Sequence, residues 1–164
     1  MALSSIWRKM YAPAPVPGPR TQKGAPRKNT WVLVMDDDAI TRQVICRMLE
    51  SNGYRTYGTD NGDEAVSSYM KARDCGYPFD AVVLDLHVQN GKNGKEAMRE
   101  LLAVDPDVRA ILATGDSTDP VAVNFSAFGF KGMLPKPFTL EQLDDTLRRA
   151  LDGRGGVYEK NTHC

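Results

Sequence analysis

The sequence predicts an α/β fold, a doubly wound five-stranded parallel sheet with helices on both faces. Short, almost wholly apolar runs such as 31–35 and 79–85 alternate along the chain with longer stretches whose apolar residues recur at helical spacing. These runs lack the polar–apolar alternation of a strand with one face in water, which indicates burial on both faces. In such folds the crossovers are right-handed, and ligands bind at the carboxyl ends of the strands.

The first strand and helix are predicted by a continuous pattern. The apolar run WVLVM at 31–35 reads as a buried strand, and Asp36-Asp37-Asp38 ends it, with Asp38 placed to cap the following helix. Asn52-Gly53 ends that helix. Its apolar stripe consists of Ile40, Val44, Ile45, Met48 and Leu49.

Four more strand–helix units follow. The predicted strands are 54–59, 79–85 and 109–115, and 129–137 reads as a last strand and turn. The predicted helices are 62 to about 74, 95 to about 104, 121–128 and a last one that begins at Thr139. Thr139 serves as N-cap, and Gln142, three residues on, completes a capping box.

Length and composition limit the chain to one soluble domain with tails. The 164 residues are 41% hydrophobic and 26% charged, values that exclude wholesale disorder. There is no run of about 18 apolar residues, so we expect no membrane span. The three cysteines share no metal-ligand or disulfide spacing, which favours a reducing, cytoplasmic location.

Charge and proline content set the N-terminal segment apart. Residues 1–30 carry six basic side chains and no acid, and 11–28 contains five of the ten prolines. We therefore expect 1–30 to be a flexible, Pro-rich basic extension, 31–151 the folded domain, and 152–164 a flexible tail. A short amphipathic helix is conceivable at residues 3–10, where four apolar residues stand at helical spacing.

Five polar residues follow predicted strands and should meet at one edge of the sheet. They are Asp36, Asp37, Asp85, Thr114 and Lys136. Three carboxylates so close together repel one another, so either one is protonated or a divalent cation lies among them. Hard oxygen ligands at a partly open site suit Mg²⁺, and a carboxylate can act as nucleophile toward phosphorus. The edge is therefore a candidate phosphoryl-transfer site.

With these residues in place, the chain resembles a response-regulator receiver domain of two-component phosphorelay signalling. The resemblance spans about residues 31–151. It rests on VLVMDDDAITRQVICRML (32–49), TDNGDEAV (59–66), FDAVVLDL (79–86), AILATGD (110–116) and GFKGMLPKPF (129–138). It implies a flavodoxin-like sheet with strand order 2-1-3-4-5.

The resemblance also implies roles for the polar edge. Asp85 would be the phosphorylation site, and Asp37 would bind Mg²⁺ directly. Asp36 would bind the metal directly or through water, and the backbone carbonyl of His87 would complete the protein ligands.

Thr114 and Lys136 would hold the phosphoryl oxygens, and Pro137 would follow a cis peptide bond. The phosphoryl donor would be a phosphohistidine on a sensor histidine kinase or a histidine phosphotransfer protein. The domain itself would catalyse its phosphorylation and its autodephosphorylation, without turning over a separate substrate.

Three features depart from the common pattern of that family. The loop after Asp85 is longer by about one residue, with Gln89 in place of the usual proline, as in receivers of hybrid sensor kinases. Met133 stands where the family has its switch aromatic residue, so a signal transmitted by ring movement is not expected. His87 has a side chain that could slow or assist hydrolysis of the acyl phosphate.

Two other interpretations remain open. A phosphatase resembling the haloacid dehalogenase group would use Asp36 and Asp38 as its D-x-D motif but would leave Asp85 without a role. A degenerate receiver would act only as a scaffold. No DNA-binding segment is recognised after residue 151. The expected output is therefore protein contact or phosphoryl relay, with no direct nucleic-acid contact. The oligomeric state is open.

Overall fold

Residues 29–153 are the part of the chain that the computed structural model describes. The expected amphipathic stretch at 3–10, the proline-rich segment 11–28 and the last eleven residues lie outside that part. Within it, no helix is both long enough and apolar enough to cross a bilayer.

Strands and helices alternate along the described chain. Their bounds are β1 (Trp31–Met35), α1 (Ala39–Ser51), β2 (Arg55–Thr59), α2 (Gly62–Asp74), β3 (Ala81–Asp85), α3 (Gly94–Val104), β4 (Ala110–Thr114), α4 (Pro120–Val123), β5 (Gly132–Pro135) and α5 (Leu140–Leu151). All strand pairs are parallel and the sheet order is β2-β1-β3-β4-β5, which confirms the predicted fold class and topology.

Each central strand supplies residues to two cores, which explains why the strands are apolar throughout. All five residues of β3 are buried. Val82 and Leu84 lie in the core formed with α2, α3 and α4. Ala81 and Val83 lie in the core formed with α1 and α5. Successive side chains of a strand point to opposite faces, so a sheet covered on both sides needs apolar residues at both parities.

The caps predicted at two helix starts are confirmed. The Asp38 carboxylate accepts the N–H of Ile40 at the start of α1. At the start of α5, the Thr139 hydroxyl accepts the N–H of Gln142, and the Gln142 side chain accepts the N–H of Thr139. These caps satisfy amide groups that the helices leave free and fix where each helix begins.

The prediction of one helix over 121–128 is wrong. The structure has the short helix α4, then a 3₁₀ turn at Phe125–Phe128. Asn124 separates them with φ −122° and ψ 37°, outside helical values. The predicted strand and turn over 129–137 contain β5, which begins at Gly132 after Gly129, at φ +91°, ends the 3₁₀ turn.

Candidate functional site

Three carboxylates lie together at the carboxyl edge of the sheet. Asp36 and Asp37 follow β1, and Asp85 is the last residue of β3, the strand hydrogen-bonded to β1. One oxygen from each of the three lies within 4.8 Å of the others. Asp36 and Asp85 are buried and Asp37 is half-buried, so the cluster opens to solvent on the Asp37 side.

Lys136 joins this cluster from β5. Its Nζ lies 2.7 Å from Oδ2 of Asp36 and 3.3 Å from Oδ1 of Asp85. The Lys136 N–H donates to the carbonyl oxygen of Thr114 at 2.8 Å, which ties the residue to the end of β4. From the end of β5 the ammonium therefore reaches the ends of β3 and β1, two and three strands away in the sheet.

The site has more carboxylate groups than cationic groups to neutralise them. Burial raises the pKa of Asp85 even though Lys136 opposes the rise. Burial on its own would lower the pKa of Lys136, but hydrogen bonds and charges from Asp36 and Asp85 raise it. One ammonium thus faces three carboxylates, and each carboxylate pair at ~4 Å costs roughly 4 kcal/mol at an effective dielectric constant of about 20. A divalent cation with oxygen ligands, Mg²⁺ above all, fits this donor set.

Both carboxylate oxygens of Asp36 accept hydrogen bonds. Oδ1 accepts the N–H of Asp38 at 2.9 Å, and Oδ2 accepts from Lys136. Its carbonyl oxygen accepts Nη1 of Arg42 at 2.6 Å. Arg42 was not predicted, and its only signal in the sequence is its position one helical turn after Asp38. These contacts hold Asp36 rigidly, as suits a supporting ligand.

Thr114 ends β4 beside the cluster and is fully buried. The residue before it, Ala113, pairs with Asp85 across the sheet. The Thr114 hydroxyl accepts the N–H of Asp116 at 3.1 Å and lies 3.3 Å from the Asp116 carbonyl oxygen. The hydroxyl is therefore engaged with the loop that follows β4, which links the site to the approach of α4.

His87 lies two residues past Asp85 with its side chain 59% exposed. Its Nε2 is 3.7 Å from Oδ2 of Asp119, whose other oxygen caps α4. His87 lines two cavities of about 250 and 320 Å³, of which the first is also lined by Asp37 and the second by Asp119. Asp119 was not predicted, since it carries no motif of its own in the sequence.

The loop between β3 and α3 and the first residue of α3 both lie against the cluster. Gln89 donates its backbone N–H to Oδ2 of Asp37 at 2.9 Å. Gly94, the first residue of α3, packs so tightly that a Cβ built on it would lie 2.4 Å from the carbonyl oxygen of Asp85. Gly94 was missed in the sequence, where its only signal was an Asn-Gly pair at the start of a helix.

Two positions after β4, the Lys136–Pro137 peptide bond and Met133, were singled out in the sequence. The peptide bond between Lys136 and Pro137 is cis, as the resemblance implied. Met133 is half-buried and packs against the core on the side of α2, α3 and α4. A flexible thioether therefore fills the position where a ring was expected from the resemblance.

A parallel sheet of this order belongs to the flavodoxin-like α/β class, and here an acidic cluster and a lysine lie at its carboxyl edge. Residues 32–148 match the response regulator receiver domain family, and the chain belongs to that family. It is thus a receiver domain of two-component signalling.

Individual relatives agree with this membership. The sensor kinase CckA of Brucella abortus is 36% identical over 123 residues, which cover 75% of this chain and 12% of that protein. The chemotaxis protein CheY of Thermotoga maritima is 26% identical over 119 residues, 72% of this chain and 94% of that protein. This chain thus spans only a small part of the sensor kinase.

A solved structure shares the fold. The receiver domain of sensor histidine kinase PA1611 from Pseudomonas aeruginosa PAO1 is 28% identical, with a TM-score of 0.67. The match covers 76% of this chain and 98% of that one, and a magnesium ion is coordinated in its active site cleft.

Proposed function

We propose that Asp85 accepts a phosphoryl group from a phosphohistidine of a partner protein and that Mg²⁺ supports the transfer. One observation carries this proposal, namely the gathering of Asp36, Asp37 and Asp85 within 4.8 Å, with Lys136 in contact with two of them. The same edge of the domain supplies acidic metal ligands, a nucleophile and a cation for the phosphoryl oxygens.

The transfer exchanges one bond to phosphorus for another. A carboxylate oxygen of Asp85 attacks the phosphorus, the P–N bond to the partner's imidazole breaks, and the nitrogen takes the electron pair. Lys136 and the Thr114 hydroxyl would bind phosphoryl oxygens, since phosphoryl transfer depends mostly on positioning and charge neutralisation. Water returns the site to rest by hydrolysing the acyl phosphate.

The residues that would hold Mg²⁺ are Asp36, Asp37, Asp85 and the backbone carbonyl of His87. When bound, the ion neutralises carboxylate and phosphoryl charge. Asp36 suits this supporting role because two hydrogen bonds already orient its carboxylate. Outer contacts of this kind orient metal ligands in general.

The proposed partner is a sensor histidine kinase or a histidine phosphotransfer protein. It must bring its imidazole to Asp85, and α1 begins directly beside the site. Ile40 and Val44 lie one turn apart on this helix and are 74% and 45% exposed. Exposed apolar side chains next to the site offer a contact for the partner's helices. The phosphorylated domain then signals by conformational change or by passing the group onward.

Two further expectations belong to this proposal. We propose that the functional unit is residues 31–151, the span from the start of β1 to the end of α5. We also propose a cytoplasmic location, because Cys46 and Cys75 are free thiols in partly buried positions, which suits a reducing compartment.

The two alternative functions are less well supported. In a phosphatase of the haloacid dehalogenase type Asp36 would be the nucleophile, yet both of its carboxylate oxygens are hydrogen-bonded and its side chain is 2% exposed. A scaffold that is never phosphorylated would have no need for three crowded carboxylates beside a lysine. The family membership favours neither alternative.

The test is labelling with acetyl phosphate and Mg²⁺, read by intact mass and by mapping the modified residue. We expect one phosphoryl group on the parent protein, located on Asp85, and none on Asp85→Asn. Asp60→Asn is the matched control, because Asp60 follows β2 but lies outside the cluster. Labelling of Asp36 would identify the phosphatase, and an unlabelled parent that ignores Mg²⁺ and beryllofluoride would identify the scaffold.

A further inference from the structure

Lys92 connects the loop that follows the phosphoacceptor strand to two helices. Its Nζ lies 2.8 Å from Oδ1 of Asp63 in the first turn of α2 and 3.0 Å from Oε1 of Glu100 in α3. Its backbone N–H also donates to Oδ2 of Asp63 at 3.1 Å. One residue of the loop therefore makes side-chain and backbone contacts with the same carboxylate.

The backbone of the loop is equally close to α2. The carbonyl oxygen of Lys92 accepts the N–H of Gly62 at 2.8 Å, and a Cβ on Gly62 would lie 2.6 Å from that oxygen. Gly91 has φ +82°, a conformation that favours glycine. A Cβ on Gly91 would lie 3.0 Å from Cβ of Asn61, the N-cap of α2. The second half of the loop is thus docked on the start of α2.

The first half of the same loop touches the proposed metal site. Gln89, three residues before Lys92, donates its N–H to Oδ2 of Asp37 at 2.9 Å. Asp36 is held by Lys136 and by the N–H of Asp38, whereas Asp37 is held by this loop amide. The position of the loop therefore sets the orientation of the Asp37 carboxylate.

We propose that Lys92 is a positioning residue for magnesium binding. Its ion pairs with Asp63 and Glu100 hold the loop 86–93 so that the Gln89 N–H keeps Asp37 oriented toward the cation. This inference rests on the proposed function, in which Asp37 is a magnesium ligand. Exposed ion pairs contribute little to global stability, so the effect should lie in Mg²⁺ affinity more than in the unfolding temperature.

The direction in which the Mg²⁺ affinity changes distinguishes a positioning role of Lys92 from the effect of its charge alone. Lys92→Met removes a positive charge from the acidic end of the domain, which by itself would tighten Mg²⁺ binding. Loss of the contacts by which Lys92 positions the loop would instead weaken Mg²⁺ binding. Removing a residue that hydrogen-bonds to a metal ligand costs roughly 10- to 100-fold in metal affinity. Lys92 does not contact Asp37 itself but holds the loop whose Gln89 amide does. We therefore expect Mg²⁺ binding to weaken by less, about three- to tenfold.

The experiment measures the Mg²⁺ dissociation constant by calorimetry and the hydrogen exchange of the Gln89 amide in metal-free protein. In Lys92→Met we expect weaker Mg²⁺ binding and faster exchange of that amide, with labelling by acetyl phosphate preserved at saturating Mg²⁺. Lys92→Arg should restore most of the affinity. Glu100→Gln, which leaves the Asp63 contact intact, should give a smaller weakening.

Lys71→Met is the matched control, because it removes the same charge from an exposed position near the end of α2. It should leave the Gln89 exchange rate unchanged. If Lys92→Met binds Mg²⁺ as tightly as the parent or more tightly, with unchanged Gln89 exchange, the inference about Lys92 is wrong. If the parent itself binds no Mg²⁺ and is not labelled, the proposed function fails instead.

Discussion

Gly94→Ala is expected to damage the site through the backbone of Asp85. The added Cβ would lie 2.4 Å from the Asp85 carbonyl oxygen and 3.0 Å from its carbonyl carbon. This is roughly 1 Å short of an ordinary C···O contact of about 3.3–3.6 Å. Both atoms of Asp85 belong to backbone at the end of β3, so no side-chain rotation relieves the overlap.

The loss of stability and of labelling rate in Gly94→Ala depends on which element moves to relieve the overlap. Either α3 moves away from β3 by about 1 Å, or the end of β3 shifts together with Asp85, the proposed phosphoacceptor. Overpacking of this kind costs about 1–3 kcal/mol. At roughly 3–6 °C per kcal/mol for a domain of this size, the unfolding temperature should fall by about 3–18 °C. A 1 Å displacement of a reacting group can cost on the order of 100-fold in rate.

The assay combines thermal unfolding with the rate of labelling by acetyl phosphate at 20 °C, where the variant remains folded. Gly115→Ala is the matched control. Gly115 follows β4 at the same edge, and a Cβ there would meet nothing within 4 Å. We expect Gly115→Ala to unfold and react like the parent. A Gly94→Ala protein with parental stability and labelling rate would refute the reasoning, because it would show that α3 and β3 separate without cost.

Two other predictions concern the nucleophile and the partner surface. Because burial raises the pKa of Asp85, the native protein holds that proton more tightly than the unfolded chain, and metal-free stability falls as pH rises from about 4 toward neutrality. Asp85→Asn should therefore melt several degrees above the parent at pH 7 in a chelator, with the difference shrinking toward pH 4; equal melting temperatures at pH 7 would contradict this. Replacing Ile40 and Val44 by serine should slow transfer from a phosphohistidine partner about tenfold while leaving acetyl phosphate labelling unchanged. Met70→Ser, at a 41% exposed position on α2, is the control and should transfer normally.

The fold was predictable because its signals are local. Each buried strand is an unbroken apolar run, and the caps at Asp38 and Thr139 depend on residues two or three positions away. The break at Asn124 was not predictable in the same way, because 121–128 keeps helical apolar spacing across it. Whether the chain turns as an α-helix or a 3₁₀ turn there is decided by packing against the rest of the domain.

For the site, the sequence indicated which residue types stand at strand ends, and topology then brings those ends together. It did not indicate the contacts that orient them. The bond from Gln89 to Asp37 joins residues 52 positions apart through a backbone N–H, and any residue except proline offers one. The tight packing of Gly94 on Asp85 depends on the path of a loop whose length was noticed but whose docking on α2 was not.

The unequal contacts of Lys136 bear on the proposed transfer of a phosphoryl group to Asp85. The ammonium is nearer to Asp36, at 2.7 Å, than to Asp85, at 3.3 Å. Ionic hydrogen bonds are strongest near 2.7–2.9 Å, so the contact with Asp85 is the weaker of the two. Asp36 therefore holds the lysine more tightly, while the buried Asp85 has the weaker ion pair and a backbone hydrogen bond from His87. We infer that a lysine bound equally to both carboxylates would slow the reaction, because the nucleophile would first have to break a full ion pair.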